Sequence, residues 1–179
     1  MLNREELKKL LDKAVSLMPD KSDQSTDCVL VFLFFKYISD VFEDHKASFI
    51  AEFKDDERAI NGRINRLVLR FPKESLFSYF CDNVENQNIV KIVKEGMALY
   101  KNKEKNREWL LSIFSAINID CIVDKYLDTL DEEVIRNLIK LFGSYSMAGK
   151  EEYDVFGTAF EFLKEWRYSF QSFRDYVGM

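Results

Sequence analysis

Apolar residues recur at three-and-four spacing through most of this chain, and the recurrence is densest between Ser25 and Phe49. The small polar residues Ser25-Thr26-Asp27, of the kind that cap a helix start, give way to Cys28-Val29-Leu30-Val31-Phe32-Leu33-Phe34-Phe35 with no polar residue. A short run rich in Val and Phe fits a buried strand as well as a helix, so the longer window has to decide. Leu30, Phe34, Tyr37, Ile38, Val41 and Phe42 share one helical face, while Lys36, Ser39, Asp40, Glu43 and Asp44 gather on the other side. The pattern predicts a central helix whose first half is buried all round. A membrane span needs roughly 20 consecutive apolar residues, and Lys36 ends this run well short of that.

The flanking segments read as amphipathic helices laid on that centre. Leu7, Leu10, Leu11, Ala14, Val15 and Met18 predict a helix from about Asn3 to Met18, stopped by Pro19 and the polar loop Asp20 to Gln24. Ile60, Ile64, Leu67 and Phe71 mark one face of a second, ended by Pro72, with Arg63, Arg66 and Arg70 at i, i+3 and i+7 on another. The aromatic piece Leu76 to Phe80 is expected to pin a loop to the core. Ile89, Ile92, Val93, Met97 and Tyr100 give a further helix containing Gly96, which suits a close helix crossing. Trp109, Leu110, Ile113, Phe114 and Ile117 give another. Thr129 with Glu132 forms a capping-box pattern ahead of Val134, Leu138, Leu141 and Phe142, and Gly143 is a natural stop. After a flexible-looking loop, Gly143 to Gly149, Asp154 is placed to cap a last helix through Phe162 and Trp166.

Composition supports this reading. The 179 residues, 47% of them hydrophobic and 15% aromatic, suffice for one sizeable core. Six Gly and two Pro are sparse punctuation for a many-stranded fold. We expect an all-α protein: a single orthogonal helical domain of about six to eight helices around the buried central helix. Cys28, Cys81 and Cys121, odd in number and set among apolar residues, read as buried free thiols in a reducing compartment. The charged, amphipathic start lacks signal-peptide character, so a cytoplasmic location is expected. A net charge of -5 argues against gripping nucleic acid by bulk charge, so any DNA contact must come from a local patch.

Few residues invite chemistry. The single His45 excludes multi-His metal sites, and no cysteine pair has ligand spacing. There is no Gly-x-Ser-x-Gly elbow and no Gly-x-Gly phosphate loop. Asp55-Asp56 and Glu151-Glu152 suit solvated, helix-capping roles. The stripe Arg63, Arg66, Arg70 with Lys73, free of acidic residues between Arg58 and Lys73, reads either as a solvated helix face or as a phosphate-contacting ridge.

Four segments in order resemble one known family. Phe32-Leu33-Phe34-Phe35-Lys36-Tyr37-Ile38-Ser39-Asp40-Val41-Phe42-Glu43 is similar to the Phe-Leu-Lys-Tyr-Ile-Ser-Asp helix near the start of type I restriction-modification methyltransferase (modification) subunits. Arg70 to Phe80 resembles that family's aromatic-Val-Pro-Glu segment, Leu110 to Ile119 its Leu-x-Gly-Val-Phe stretch, and Asp154 to Leu163 its Asp-x-Leu-Gly-x-Ala-Tyr-Glu-Tyr-Leu. The resemblance covers residues from about 3 to 165. It implies a helical domain over 1–165, and leaves 166–179 as a divergent aromatic tail.

In the family this domain packs against the methyltransferase domain and the specificity subunit and helps close the complex around DNA. The Gly-Gly-Glu-Phe-Tyr-Thr-Pro segment, the S-adenosylmethionine loop and the Asn-Pro-Pro-aromatic adenine clamp that follow in the family have no counterpart here; Pro19 and Pro72 stand far apart. The resemblance therefore implies a truncated or separately encoded, non-catalytic N-terminal domain with no cofactor of its own. The alternative is a free-standing adaptor that binds and modulates restriction-modification subunits. In the tail, Trp166, Phe170 and Phe173 fall on one helical line. They either fold into the core or form a partner-binding surface open to self-association.

Overall fold

The computed structural model describes residues 2–67, 71–101, 119–148, 157–159 and 161–163. Its longest element is the predicted central helix, here α2, spanning Asp23–Phe53. The helix starts earlier than Ser25-Thr26-Asp27 suggests. Ser22 is the cap, its hydroxyl accepting from the Ser25 N–H, and Ser25 and Thr26 are buried within the first turns. The displacement has a tertiary cause. The Asp20 carboxylate accepts from the Ser22 N–H and, at 2.7 Å, from the Ser25 hydroxyl, and Ser25 in turn meets the Tyr126 hydroxyl at 2.7 Å. Hydrogen bonds from Ser22 and Ser25 hold the Asp20 carboxyl below its ordinary pKa, while burial pushes the Tyr126 hydroxyl up.

Around α2 lie α1 (Arg4–Leu17), α3 (Glu57–Ile64), α4 (Phe77–Asp82) and α5 (Ile89–Lys101). A composite helix, α6, is α-helical over Ile119–Cys121, a π turn over Ile122–Tyr126 and a 3-10 turn over Leu127–Thr129. It is followed by α7 (Glu132–Gly143). Among the described residues there is no strand, and α1, α3, α4, α6 and α7 all pack on α2. Phe32, Phe34 and Phe35 are fully enclosed there. Each contributes roughly 1.5–3 kcal/mol of transfer free energy, so the all-helical, centrally organised fold follows from the apolar run itself.

Local readings held unevenly. α1 ends at Leu17, just ahead of Pro19, and opens with an Asn3–Glu6 capping box that periodicity did not call. The proposed Thr129–Glu132 box does not form. The Thr129 hydroxyl donates to the Tyr126 carbonyl inside the 3-10 turn, and α7 starts from Asp131. The second amphipathic segment stops at Ile64, not at Pro72: turn bonds from Arg66 to Arg63 and Leu67 to Ile64 close it. Phe71 is then buried, with its ring edge on Phe42 at 5.3 Å. Of the three thiols only Cys28 is fully buried; Cys81 and Cys121 are half-buried, and all are free. The helix expected over Trp109 to Ile117 lies outside the described residues.

Glycine placement records how closely the helices approach. A Cβ added to Gly96 of α5 would come within 2.6 Å of the Phe80 ring and would also strike the Glu74 carbonyl. The buried Ser75 hydroxyl donates to the Gly96 carbonyl at 2.7 Å across the same contact. Gly143, at the end of α7, makes similar room for the Cys81 sulfur. Gly96→Ala should therefore cost about 1–3 kcal/mol through overpacking, lowering the melting temperature by roughly 5 °C. A melting temperature at or above that of the parent would show the crossing to be loose.

Candidate functional site

The segment carrying the first family resemblance, Phe32 to Glu43, holds its polar residues inward. Lys36 is only 8% exposed and Ser39 is fully buried, contrary to the expectation of a polar outer face. That face is covered by α4 and by the stretch after α7. The Lys36 ammonium donates to Asp40 Oδ1 at 2.8 Å and lies 5.6 Å from the centre of the Phe77 ring. The other Asp40 oxygen, Oδ2, accepts the Met147 N–H at 2.9 Å. Ser39 Oγ accepts the Phe77 N–H at 2.8 Å, capping α4 where the preceding residue offers no side-chain cap. One turn on, Glu43 accepts from the Ser78 hydroxyl at 2.7 Å.

Two members of this row, Ser39 and Asp40, hold remote backbone amides, while Lys36 and Glu43 are bonded to side chains. The loop expected after Gly143 is present over the described residues 144–148. Met147 is buried and its amide is held by α2, although Gly149 lies outside the described residues. His45, by contrast, is exposed and stacks on Phe49, as a plain surface histidine would. Asp56 caps α3 through the Ala59 N–H at 3.0 Å. Glu151 and Glu152 lie outside the described residues.

The remaining candidates cluster at the elbow where α2 turns into α3. Beyond Phe42, α2 leaves the core. Asp44 to Ser48 are exposed, Ile50 is 46% exposed, and α3 packs mainly on this projecting end. The turn passes through Lys54 at φ 52°, a conformation L residues seldom adopt. One side of the elbow is a depression of about 520 Å³ lined by Phe53, Asp56, Arg58, Ala59, Gly62, Arg63 and Arg66. The Arg63 guanidinium sits 5.7 Å from the Phe53 ring centre. Arg63 and Arg66 of the stripe are thus brought together, though not on one continuous helix, because α3 ends before Arg66. Lys73 is exposed on a separate 3-10 turn, Lys73–Ser75, packed on α5. Arg70, Trp166, Phe170 and Phe173 lie outside the described residues. Arg58 is a member of the cluster that the stripe pattern did not include.

Comparison with known families decides the affiliation. Residues 7–142 match the family described as the HsdM N-terminal domain, which spans α1 through α7 of the structure almost entirely. The chain belongs to that family. It carries the N-terminal domain of the methyltransferase subunit of type I restriction-modification systems. No curated protein and no solved structure matches the chain. In this HsdM N-terminal domain no described helix is long and apolar enough to cross a membrane. Among the described residues no three His, Cys, Asp or Glu side chains converge on a metal position.

The inward row of the domain has a direct test. Ser39→Ala leaves the Phe77 N–H buried without an acceptor, which should cost about 1–3 kcal/mol. Asp44→Ala, on the exposed part of the same helix, should stay within roughly 0.5 kcal/mol of the parent. Urea unfolding with equal effects for the two variants would remove Ser39 from its capping role.

Proposed function

We propose that this chain is a non-catalytic scaffolding module of a type I modification complex. It packs against the methyltransferase domain and the specificity subunit and helps to close the assembly around DNA. The observation that carries the reading is the family match over 7–142, joined to the way the polar residues of the central helix are used. Lys36, Ser39 and Asp40 are engaged within the fold, so they do not serve a substrate. The sequence has no Asn-Pro-Pro motif and no Gly-x-Gly loop with which to hold an adenine or S-adenosylmethionine. The cofactor and the chemistry belong to the catalytic domain of the complex, and the reading places the chain in the cytoplasm.

On this account DNA is met through backbone phosphates by Arg63, Arg66, Arg70 and Lys73, and the tail residues Trp166, Phe170 and Phe173 meet a protein neighbour. With a net charge of -5, phosphate contact has to be local, and among the described residues Arg63 and Arg66 are not ion-paired. Arg136, Lys94 and Lys140 are each paired with a carboxylate, whereas Lys9, Lys13 and Lys46 are, among the described residues, as free of ion pairs as the elbow arginines. Contacts of this kind position DNA without reading its sequence.

Replacing Arg63, Arg66 and Arg70 together by Gln should weaken duplex binding. Each phosphate contact removed should flatten the dependence of log affinity on log salt by about 0.9. Fluorescence anisotropy across a salt series measures both. An unchanged slope would return these residues to the role of a solvated surface.

A further inference from the structure

We infer that α6 is a helix with two registers, and that a hydrogen-bond chain from Asp20 through Ser25 to Tyr126 holds it in the one containing the π turn. Turns of this kind are rare inside helices and persist where something holds them. Here the π turn covers Ile122–Tyr126 and runs straight into a 3-10 turn.

Burial does not call for it. Ile119, Ile122, Val123, Tyr126, Leu127 and Leu130 are the buried residues of this stretch. Their three-and-four spacing is that of an ordinary α-helix, in which all of them lie on one face at about 3.6 residues per turn. A regular helix through the same residues would therefore bury the same side chains, and the apolar core accepts either register.

The polar contacts tell the two registers apart. The Tyr126 hydroxyl stands 2.7 Å from Ser25 Oγ on α2, in a buried contact. Ser25 gives its one hydroxyl hydrogen to Asp20 Oδ1, so the carboxylate sets the direction of the chain: Tyr126 donates and Ser25 accepts. The backbone of Tyr126 is held as well. Its carbonyl accepts from the Thr129 hydroxyl, and the Leu130 N–H, which an α-helix would bond to that carbonyl, goes to Leu127 instead.

The far end of the chain is accessible, because Asp20 is exposed in the loop between α1 and α2. A cation of a neighbouring protein that takes the Asp20 carboxylate leaves Ser25 without its acceptor. Two hydroxyls then compete, each with a hydrogen to place, and the tie on Tyr126 loosens. Beyond the π turn, Asp128 is paired with Lys94 of α5. Closing the turn to α swings Asp128 round the helix axis, so a contact made at the α1–α2 loop is converted into movement on the surface shared by α5 and α6.

Nuclear magnetic resonance of the full chain reads the register directly, since backbone contacts span four residues in an α turn and five in a π turn. Tyr126→Phe keeps the ring and removes the hydroxyl. The five-residue contacts across Ile122–Tyr126 should be lost, four-residue contacts should replace them, and the Asp128 and Lys94 signals should shift. Asp20→Ala, in an exposed loop, should move the same signals in the same direction with the fold kept. Lys94→Gln, outside the chain of hydroxyls, should leave the π turn intact. A π turn that persists in both Tyr126→Phe and Asp20→Ala refutes the switch. Closure in Tyr126→Phe alone refutes control from the loop. Should Tyr126→Phe fail to fold, Asp20→Ala decides, and an unchanged α6 in that variant overturns the inference.

Discussion

A buried lysine and a half-buried aspartate, one turn apart on the central helix, tie remote parts of this domain to its core. An unpaired charge at such a site would be prohibitive. Lys36 and Asp40 are tolerated because each satisfies the other, and because Asp40's second oxygen takes the Met147 amide. Such a pair adds little net stability compared with an apolar replacement, but removing one partner strands the other, at about 3–5 kcal/mol. The pair also ties the stretch after α7 to α2 through the Met147 amide. With Ser39 it determines that α4 starts at Phe77 and that the chain after α7 returns to α2.

From that constraint the molecule divides into a body and a projection. In the body, α1, α4, α6 and α7 close on the apolar half of α2, with Gly96 and Gly143 allowing α5 and α7 to approach α4. Beyond Phe42 the same helix continues into solvent and carries α3 across the Lys54 turn. Among the described residues, Phe32 to Phe42 and Phe71 to Phe80, which carry part of the family resemblance, belong to the body. Arg58, Arg63 and Arg66 lie on the projection. The domain thus joins an enclosed helical body to an arginine-bearing elbow.

The sequence disclosed the apolar centre most clearly, because burial of Cys28 to Phe35 is a one-dimensional pattern. It also foretold Gly96, where a helix-interior glycine needs a reason. What it concealed depends on partners remote in the chain. Lys36 and Ser39 look like a solvated face until α4 is seen to cover them. Ser25 looks like a cap until Asp20 and Tyr126 draw it inward. Thr129 and Glu132 have the spacing of a capping box, but the 3-10 turn claims the Thr129 hydroxyl first. The arginine stripe was visible as spacing. Its true grouping with Arg58 and Gly62 was not, since periodicity cannot say where α3 ends.

Native-state hydrogen exchange at individual amides addresses the central claim, that side chains of α2 lock remote backbone into place. The Phe77 and Met147 amides, one at a helix start and one in a connecting stretch, would ordinarily exchange by local opening. Bonded to Ser39 and Asp40, both should exchange only through the global unfolding that releases the core amides of α2. The amides of α3, attached at one end, should open at lower free energy. Exchange of Phe77 and Met147 at loop-like rates, well below the protection of α2, would contradict the account.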